Sequence, residues 1–138
     1  MCAFELHPRL AAGGIELGRT AGCRVLLKNN AHFPWLILVP EVAESIEDLH
    51  QLDEPRFEEV TRLVREVSQW MEDYFRPTKL NVACIGNQVR QMHLHVVARR
   101  EDDPAWPGTV WACDEKKAYT DEEIATISAA FSERFPIA

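Results

Sequence analysis

Long apolar runs are missing from the sequence: no stretch approaches the roughly 20 apolar residues that a helix needs to cross a bilayer. Residues 1–6 also lack the basic start and the apolar core of a signal peptide. These absences argue against an integral membrane protein and predict a cytoplasmic protein without a membrane partner. With 138 residues, of which 46% are hydrophobic and 27% charged, the chain is expected to form a single domain over residues 1–138.

Paired cysteines and an excess of positive charge are missing as well. The four cysteines form no C-x-x-C pair, which argues against a zinc knuckle and against a disulfide framework. They are Cys2, Cys23, Cys84 and Cys113. The formal net charge of -7 repels the polyphosphate backbone of a nucleic acid, so we expect no nucleic-acid partner. A small phosphorylated ligand is still compatible with this charge, because a local site can be neutral or positive on an acidic protein.

Six short apolar segments predict β-strands, and the breaks between them are rich in Gly, Pro and Asn. These segments span residues 4–6, 15–17, 23–27, 36–39, 80–85 and 92–98. The last two are close in sequence, which favours antiparallel neighbours. Strands, helices, two more strands and a final helix, in this order, are typical of an α+β domain with an antiparallel sheet.

Three helices are predicted between and after these strands. A capping-box pattern predicts a short helix over residues 45–51. Asp53 then has the features of an N-cap followed by a proline in the first turn, and apolar residues recur every three or four positions over residues 53–76. A second capping box at Thr120 starts the last helix, and residues 102–119 before it are predicted to be irregular.

The predicted strand at residues 91–97 carries two histidines on one face. Side chains alternate along a strand, so Gln91, His93 and His95 share a face, while the residues between them are apolar and point the other way. Imidazole titrates near physiological pH, attacks phosphorus when it is neutral and donates a proton when it is charged. We therefore expect the chemistry of the protein on this face.

Three interpretations of the H-x-H pattern stay open on the residues alone. The face is a solvated surface without a role, a metal site, or a site of covalent phosphoryl or nucleotidyl transfer. Two imidazoles on a strand can share an ion, but a metal site needs a third ligand, which an acidic residue or one of His7, His32 and His50 would have to supply. Phosphoryl transfer needs one histidine as nucleophile and the other as acid or phosphate clamp.

Residues 81–97 resemble the C-terminal half of a histidine triad (HIT) domain. The HIT signature, His-φ-His-φ-His-φ-φ with φ apolar, follows a turn of the Gly-x-(Ser/Gln)-Val kind, and this chain has Gly86-Asn87-Gln88-Val89 and then Gln91-Met92-His93-Leu94-His95-Val96-Val97. The order of the earlier elements agrees, so the resemblance covers about residues 1–100 and leaves a C-terminal loop and helix at 101–138. It implies an α+β fold with an antiparallel five- to six-stranded sheet, one long helix and shorter helices.

The resemblance also implies an activity. A HIT nucleotide hydrolase or transferase cleaves a phosphoanhydride or phosphoramidate at the α-phosphate; here His93 would be the nucleophile that forms a nucleotidyl-histidine, and His95 would contact the phosphate. The implied partners are a purine nucleotide or nucleotide conjugate, such as a dinucleoside polyphosphate, and a second copy of the chain in a homodimer. No cofactor and no metal ligand are required, although a divalent ion carried by the substrate phosphates is compatible with this chemistry.

Gln91 departs from the HIT pattern, which has a histidine at the first triad position. The family uses the backbone carbonyl at this position to orient the nucleophile, and glutamine keeps that carbonyl while it offers an amide on the same face. The sequence resembles a distinct HIT branch in this respect. The departure leaves an alternative of a different class, a nucleotide-binding protein with little or no catalytic turnover.

Other positions match HIT binding residues. Gln88 matches the residue that bonds the phosphate or the leaving group, and Asn81 matches an active-site asparagine of part of the family. Asn29 matches the residue that holds the ribose hydroxyls, with Asn30 as its rival, and Trp35 stands where many members have a histidine. Each of these residues also has an ordinary role open to it in a turn or a strand.

Apolar residues near the site have two roles open to them. Leu6, Leu26 and Ile37 match positions that line a base pocket, but core packing competes as their role. The two tryptophans of residues 106–111 are costly to leave in water. We therefore expect both tryptophans to pack on this domain or on its partner, and the segment to fold over the active site.

Overall fold

One antiparallel sheet of five strands organises residues 3–136, the part of the chain that the computed structural model describes. The elements in chain order are α1 (Pro8–Gly13), β1 (Gly14–Thr20), β2 (Cys23–Lys28), β3 (Trp35–Pro40), α2 (Glu54–Phe75), β4 (Lys79–Ala83), β5 (Leu94–Arg99) and α3 (Asp121–Arg134). The strands lie in the order β1-β2-β3-β5-β4, and each pair of neighbours is antiparallel. The predicted α+β class and the pairing of β4 with β5 are confirmed.

The two faces of the sheet have different partners because side chains alternate along each strand. The inner face of β3 and β5 packs against α2 and α3 in the larger core, through Leu36, Leu38, Leu94, Val96 and Ala98. The opposite face carries a second apolar cluster around Leu26, Trp35, Ile37 and Val97. Each fully buried leucine or valine contributes roughly 1.5–3 kcal/mol. Packing against α2 and α3 therefore contributes most of the apolar burial that stabilises the sheet, and its second face is available for a site.

The long helix α2 is the element that the sequence predicts best. The side chain of Asp53 accepts a hydrogen bond from the backbone N–H of Arg56, and Pro55 occupies the first turn, where no N–H is needed. The helix stops at Arg76, which has the left-handed φ of 49° typical of a C-terminal cap, and Pro77 follows. The prediction of one amphipathic helix over residues 53–76 is confirmed. No helix within residues 3–136 is long and apolar enough to span a membrane.

Two predictions for the first half of the chain are wrong. Residues 4–6 form no strand, and helix α1 follows them directly: Pro8 starts it, and His7 caps it by accepting from the N–H of Arg9 at 3.1 Å. The predicted helix at 45–51 is only a short 3-10 turn, Leu49–Gln51. Its cap is shifted because the Gln51 side chain accepts from the backbone N–H groups of residues 47 and 48.

Candidate active site

The two histidines lie side by side where β5 begins. His95 is the second residue of the strand, and His93 precedes the strand, which starts two residues later than the sequence predicts. Both side chains are buried, each with 6% of its surface exposed. Their ring centroids are 4.9 Å apart, so the predicted juxtaposition is present even though His93 stands outside the strand.

The ring of His93 is oriented by a backbone carbonyl. Its Nδ1 lies 2.6 Å from the carbonyl oxygen of Gln91. Because a carbonyl oxygen only accepts, Nδ1 must carry the hydrogen and donate it. The other nitrogen, Nε2, then has a free lone pair. His93 is thus arranged as a nucleophile or a base.

The ring of His95 is held in the opposite way. Trp35 Nε1 donates a hydrogen bond to His95 Nδ1 at 2.9 Å, and an indole N–H is a donor only. Nδ1 therefore accepts, so that the hydrogen of the neutral ring resides on Nε2. The indole of Trp111 packs edge-on to this ring, with centroids 5.2 Å apart. His95 is thus arranged as a hydrogen-bond donor, next to a histidine that presents a lone pair.

Both histidines are kept uncharged. Burial, the neighbouring His93 and the Lys28 ammonium together lower the pKa of His95 from 6.5 to about 3, and burial has the largest effect. Burial also lowers the pKa of His93, against the hydrogen bond to the Gln91 carbonyl, which acts to raise it. At neutral pH the pair therefore combines one lone pair and one N–H without a net charge.

A cavity of about 440 Å³ opens in front of the histidine pair. Its walls are the indoles of Trp35 and Trp111 and the turn at residues 85–89, and Arg9 and Lys28 are its two cationic side chains. Among the described residues no aspartate or glutamate lines it. The cavity is therefore neutral to positive, although the chain as a whole has a formal net charge of -7.

The comparison with known proteins identifies the family. A profile of the HIT domain matches residues 15–102, which is more than half of the chain. The chain belongs to the HIT family. Among curated proteins no sequence matches this HIT protein.

Solved HIT structures are similar over nearly the whole chain. A histidine triad protein from Marinobacter aquaeolei VT8 is 38% identical, with a TM-score of 0.92 and a coverage of 97% of each chain. A histidine triad protein from Sinorhizobium meliloti 1021 is 36% identical, with a TM-score of 0.91 and a coverage of 96% of this chain and 97% of the other. One from Bradyrhizobium japonicum is 32% identical, with a TM-score of 0.93 and coverages of 97% and 99%. They match the five-stranded α+β architecture.

The side chain of Gln91 lies outside the cavity of the HIT site. Its amide oxygen accepts from the backbone N–H of His7 at 2.8 Å, and its amide nitrogen donates to the carbonyl of Glu5 at 2.9 Å. The expected shared face with the histidines is therefore not formed, because residues 91–93 precede the strand and do not alternate as strand residues do. Gln91 holds the N-terminal segment and offers His93 only its carbonyl.

Gln88 reaches the cavity, but the predicted asparagines do not. Gln88 lines the turn, where its Oε1 accepts from Arg9 Nη2 at 3.1 Å. Asn81 accepts from the buried guanidinium of Arg99 at 2.9 Å and is not among the residues that line the cavity. Asn29 accepts from the N–H of residue 119 at 2.9 Å, and Asn30 donates to the carbonyl of residue 115 at 3.0 Å. Both asparagines therefore bind the C-terminal segment by hydrogen bonds. At this end of β2, the residue that lines the cavity is Lys28.

The apolar candidates divide between core and site. Ile37 and Trp111 line the cavity, whereas Leu26 is buried in the sheet and Leu6 packs beside it. Trp106 lies against the guanidinium of Arg99, at 5.6 Å from the ring centroid. Both tryptophans therefore pack on this domain as expected, and Trp111 is the one of the two that lines the cavity.

In the described part of the chain, no side chain joins the histidine pair as a third metal ligand. Within residues 3–136 no three His, Cys, Asp or Glu side chains converge on a point that could hold an ion. His7, His32 and His50 do not supply the third ligand that the metal interpretation needs.

Arg9 and Lys28 are site residues that the sequence interpretation missed. Arg9 belongs to a helix that was not predicted. Lys28 ends β2 directly before Asn29 and Asn30, the two candidates for holding the ribose hydroxyls. A cation next to a residue predicted to bind the nucleotide was the available signal for Lys28.

Lowering the pH from 7 to 5 is expected to destabilise the fold by about 2 kcal/mol through His95 alone. Unfolding restores the ordinary pKa of His95, 6.5. Between pH 6.5 and 3, His95 therefore binds a proton in the unfolded chain but not in the folded chain, where its pKa is about 3. Stability is therefore full above pH 6.5 and falls as the pH drops below it. Urea unfolding at each pH measures this loss.

The matched control for this titration is His95→Gln, whose amide oxygen can still accept from Trp35. The variant should lose about 2 kcal/mol less than the wild type between pH 7 and 5. Equal losses in the two proteins would show that the imidazole of His95 titrates normally.

Proposed function

We propose that the protein is a HIT-type nucleotide hydrolase or transferase that cleaves a phosphoanhydride or phosphoramidate at the α-phosphate. The observation that carries this proposal is the pair of opposite tautomers. His93 presents a lone pair because its Nδ1–H donates to the Gln91 carbonyl, and His95 presents an N–H because Trp35 donates to its Nδ1. Nucleophilic substitution at phosphorus needs these two functions next to each other.

The proposed reaction has two steps. The Nε2 lone pair of His93 forms a bond to the α-phosphorus, and the bond from phosphorus to the leaving oxygen or nitrogen breaks with its electron pair. The leaving group takes up a proton from solvent, and the Gln91 carbonyl stabilises the positive charge on the ring. The oxygen of a water molecule then bonds to the phosphorus, the phosphorus–Nε2 bond breaks with its electron pair returning to His93, and the water loses a proton to solvent. This step releases the nucleoside monophosphate; in a transfer, the hydroxyl of another acceptor takes the place of the water.

The surrounding residues are assigned by what they can donate. His95 Nε2–H would bond a non-bridging phosphate oxygen. Because Gln88 Oε1 is engaged by Arg9, its amide N–H groups are free for the phosphate or the leaving group. We assign Asn81 and Asn29 supporting roles through Arg99 and the C-terminal segment. No protein-bound metal or other cofactor is required, and a divalent ion on the substrate phosphates is compatible with the site.

A purine nucleotide or nucleotide conjugate is the proposed partner. The apolar and indole walls of the cavity suit a flat base, and its positive character suits phosphates. A dinucleoside polyphosphate and a nucleoside phosphoramidate both carry these groups.

We also propose a homodimer and a single domain over the whole chain. Phe57 and Tyr74 on α2 and Val82 on β4 are large apolar side chains that are 41%, 39% and 50% exposed, which supports pairing through these elements. Phe131 of α3 is fully buried in the same core as β5, which supports one domain.

A nucleotide-binding protein with little turnover is the second candidate. It is favoured by Gln91, whose side chain contacts residues 5 and 7 and adds no donor to the cavity. In this case the tautomer pair would bind a phosphate without forming the covalent bond.

One experiment separates the two candidates. The protein is incubated with adenosine 5′-phosphoramidate and with diadenosine tetraphosphate, AMP is quantified by chromatography, and a rapidly quenched sample is searched by mass spectrometry for an adenylylated peptide. Catalytic AMP release with the adduct on His93 is the expected result. Stoichiometric binding of both compounds without AMP release at substrate excess would favour the binding protein.

A further inference from the structure

Two cations line the cavity beside the histidine pair. Lys28 is the last residue of β2, and Arg9 extends from α1. No carboxylate lines the cavity among the described residues, although the chain carries 22 acidic side chains. The local excess of positive charge is therefore a property of this cavity and runs against the charge of the whole chain.

Lys28 lacks a counter-ion in the described part of the chain. Its side chain is half-buried, and within residues 3–136 no carboxylate forms an ion pair with it. Its Nζ lies 5.7 Å from the ring centroid of Trp35 and over Gly13, whose missing side chain leaves room for it. The pKa of Lys28 is lowered by burial and by the like charges of Lys116 and Arg9. An anion beside Lys28 would relieve both effects.

Arg9 is oriented toward the same space. Its Nη2 donates to Gln88 Oε1 at 3.1 Å, which ties α1 to the turn in front of His93. A guanidinium has five N–H donors, so others are left for a ligand. The neutral histidines cannot balance the charge of a second anionic group. Lys28 and Arg9 are the cavity residues that can.

We propose that Lys28 and Arg9 form a second anion site, so that the preferred substrate carries a further phosphate besides the one that reacts at His93 and His95. The proposal rests on the proposed function for the position of the first phosphate. The second phosphate has two sources in nucleotide chemistry: the phosphate chain and the ribose. Both offer a cluster of anionic phosphate oxygens that cationic donors bind.

Calorimetry with three ligands tests the site and separates the two sources. AMP carries one phosphate, ADP carries the second phosphate in the chain, and adenosine 3′,5′-bisphosphate carries it on the ribose. Either ADP or adenosine 3′,5′-bisphosphate, or both, should bind the wild type about tenfold more tightly than AMP. Tighter binding of ADP assigns the second phosphate to the phosphate chain, and tighter binding of adenosine 3′,5′-bisphosphate assigns it to the ribose.

Variants connect the preference to the two cations. In Lys28→Gln and in Arg9→Gln the preference over AMP should fall to within about twofold. Lys79→Gln, which removes an exposed lysine on β4, is the matched control and should retain the tenfold preference.

The outcomes distinguish the site from the proposed function. Equal affinities of the wild type for all three ligands, or an unchanged preference in Lys28→Gln, overturn the second anion site. If the preference depends on Lys28 but no conjugate releases AMP, the second anion site is supported and the proposed catalytic function is overturned. If none of the three ligands binds, both proposals fail.

Discussion

His93→Ala is expected to lower the rate of AMP release from adenosine 5′-phosphoramidate at least about 10³-fold. The substitution removes the lone pair that would attack phosphorus, and no side chain among the described cavity residues replaces it: His95 donates through Nε2 because Trp35 occupies its Nδ1. Affinity for AMP should change much less than the rate, since His95 still offers its N–H. Single-turnover rates and AMP titrations measure the two effects separately.

Two further variants sharpen this expectation. His50→Ala removes an exposed histidine in the 3-10 turn and should leave the rate unchanged. Gln91→Ala keeps the carbonyl that orients His93 and loses only the amide that holds residues 5 and 7, so its rate should fall far less than that of His93→Ala. If His93→Ala retains more than a tenth of the wild-type rate, the nucleotidyl-histidine mechanism is wrong.

Arg99→Met is expected to cost the fold about 3–5 kcal/mol in the free energy of unfolding. The Arg99 side chain is 2% exposed and donates to Asp103 at 2.8 and 3.0 Å, to Asn81 at 2.9 Å and to the carbonyl of Gly108 at 2.8 Å. Without it the Asp103 carboxylate, 4% exposed, is left buried without its charge partner. Burial acts to raise the pKa of Asp103, but hydrogen bonds from Arg99 and the backbone outweigh burial and lower it.

The neighbouring residue provides the control for Arg99. Arg100→Met removes an arginine whose side chain is 57% exposed and whose ion pair with Asp102, at 3.3 Å, faces solvent. This change should stay within about 0.5 kcal/mol. Urea unfolding at pH 7 compares the two variants, and a loss below 1 kcal/mol for Arg99→Met would show that the buried network contributes little.

Local patterns predict the elements of this fold because each pattern acts within one element. The cap at Asp53, the apolar face of α2 and the capping box at Thr120 all bond or pack within a few residues, and the structure has these helices where the sequence places them. The alternation along β5 likewise depends on the strand alone, and it brings His95 to the correct face. The order of the elements was likewise predicted from local patterns, and the family signature agreed with it.

The missed features depend on contacts between distant segments. The side chain of Gln91 bonds residues that are 84 and 86 positions away, which no strand periodicity can indicate. The asparagines at the end of β2 are taken by residues 115–119 of the C-terminal segment, and this brings Lys28 to the cavity instead. Helix α1 was missed because its proline was interpreted as a break, although proline is also a good first helical residue.

Two of the four tryptophans of this chain stand at the cavity, and one of them is hydrogen-bonded to a histidine of the pair. Indole fluorescence responds to the polarity and the charge around the ring. A phosphate that settles against His95, or a base that lies along Trp111, changes both. The protein therefore carries an intrinsic optical signal at its own site, and Trp35→Phe and Trp111→Phe would assign that signal to one ring or the other. Ligands can be compared by this emission without a label and without turnover.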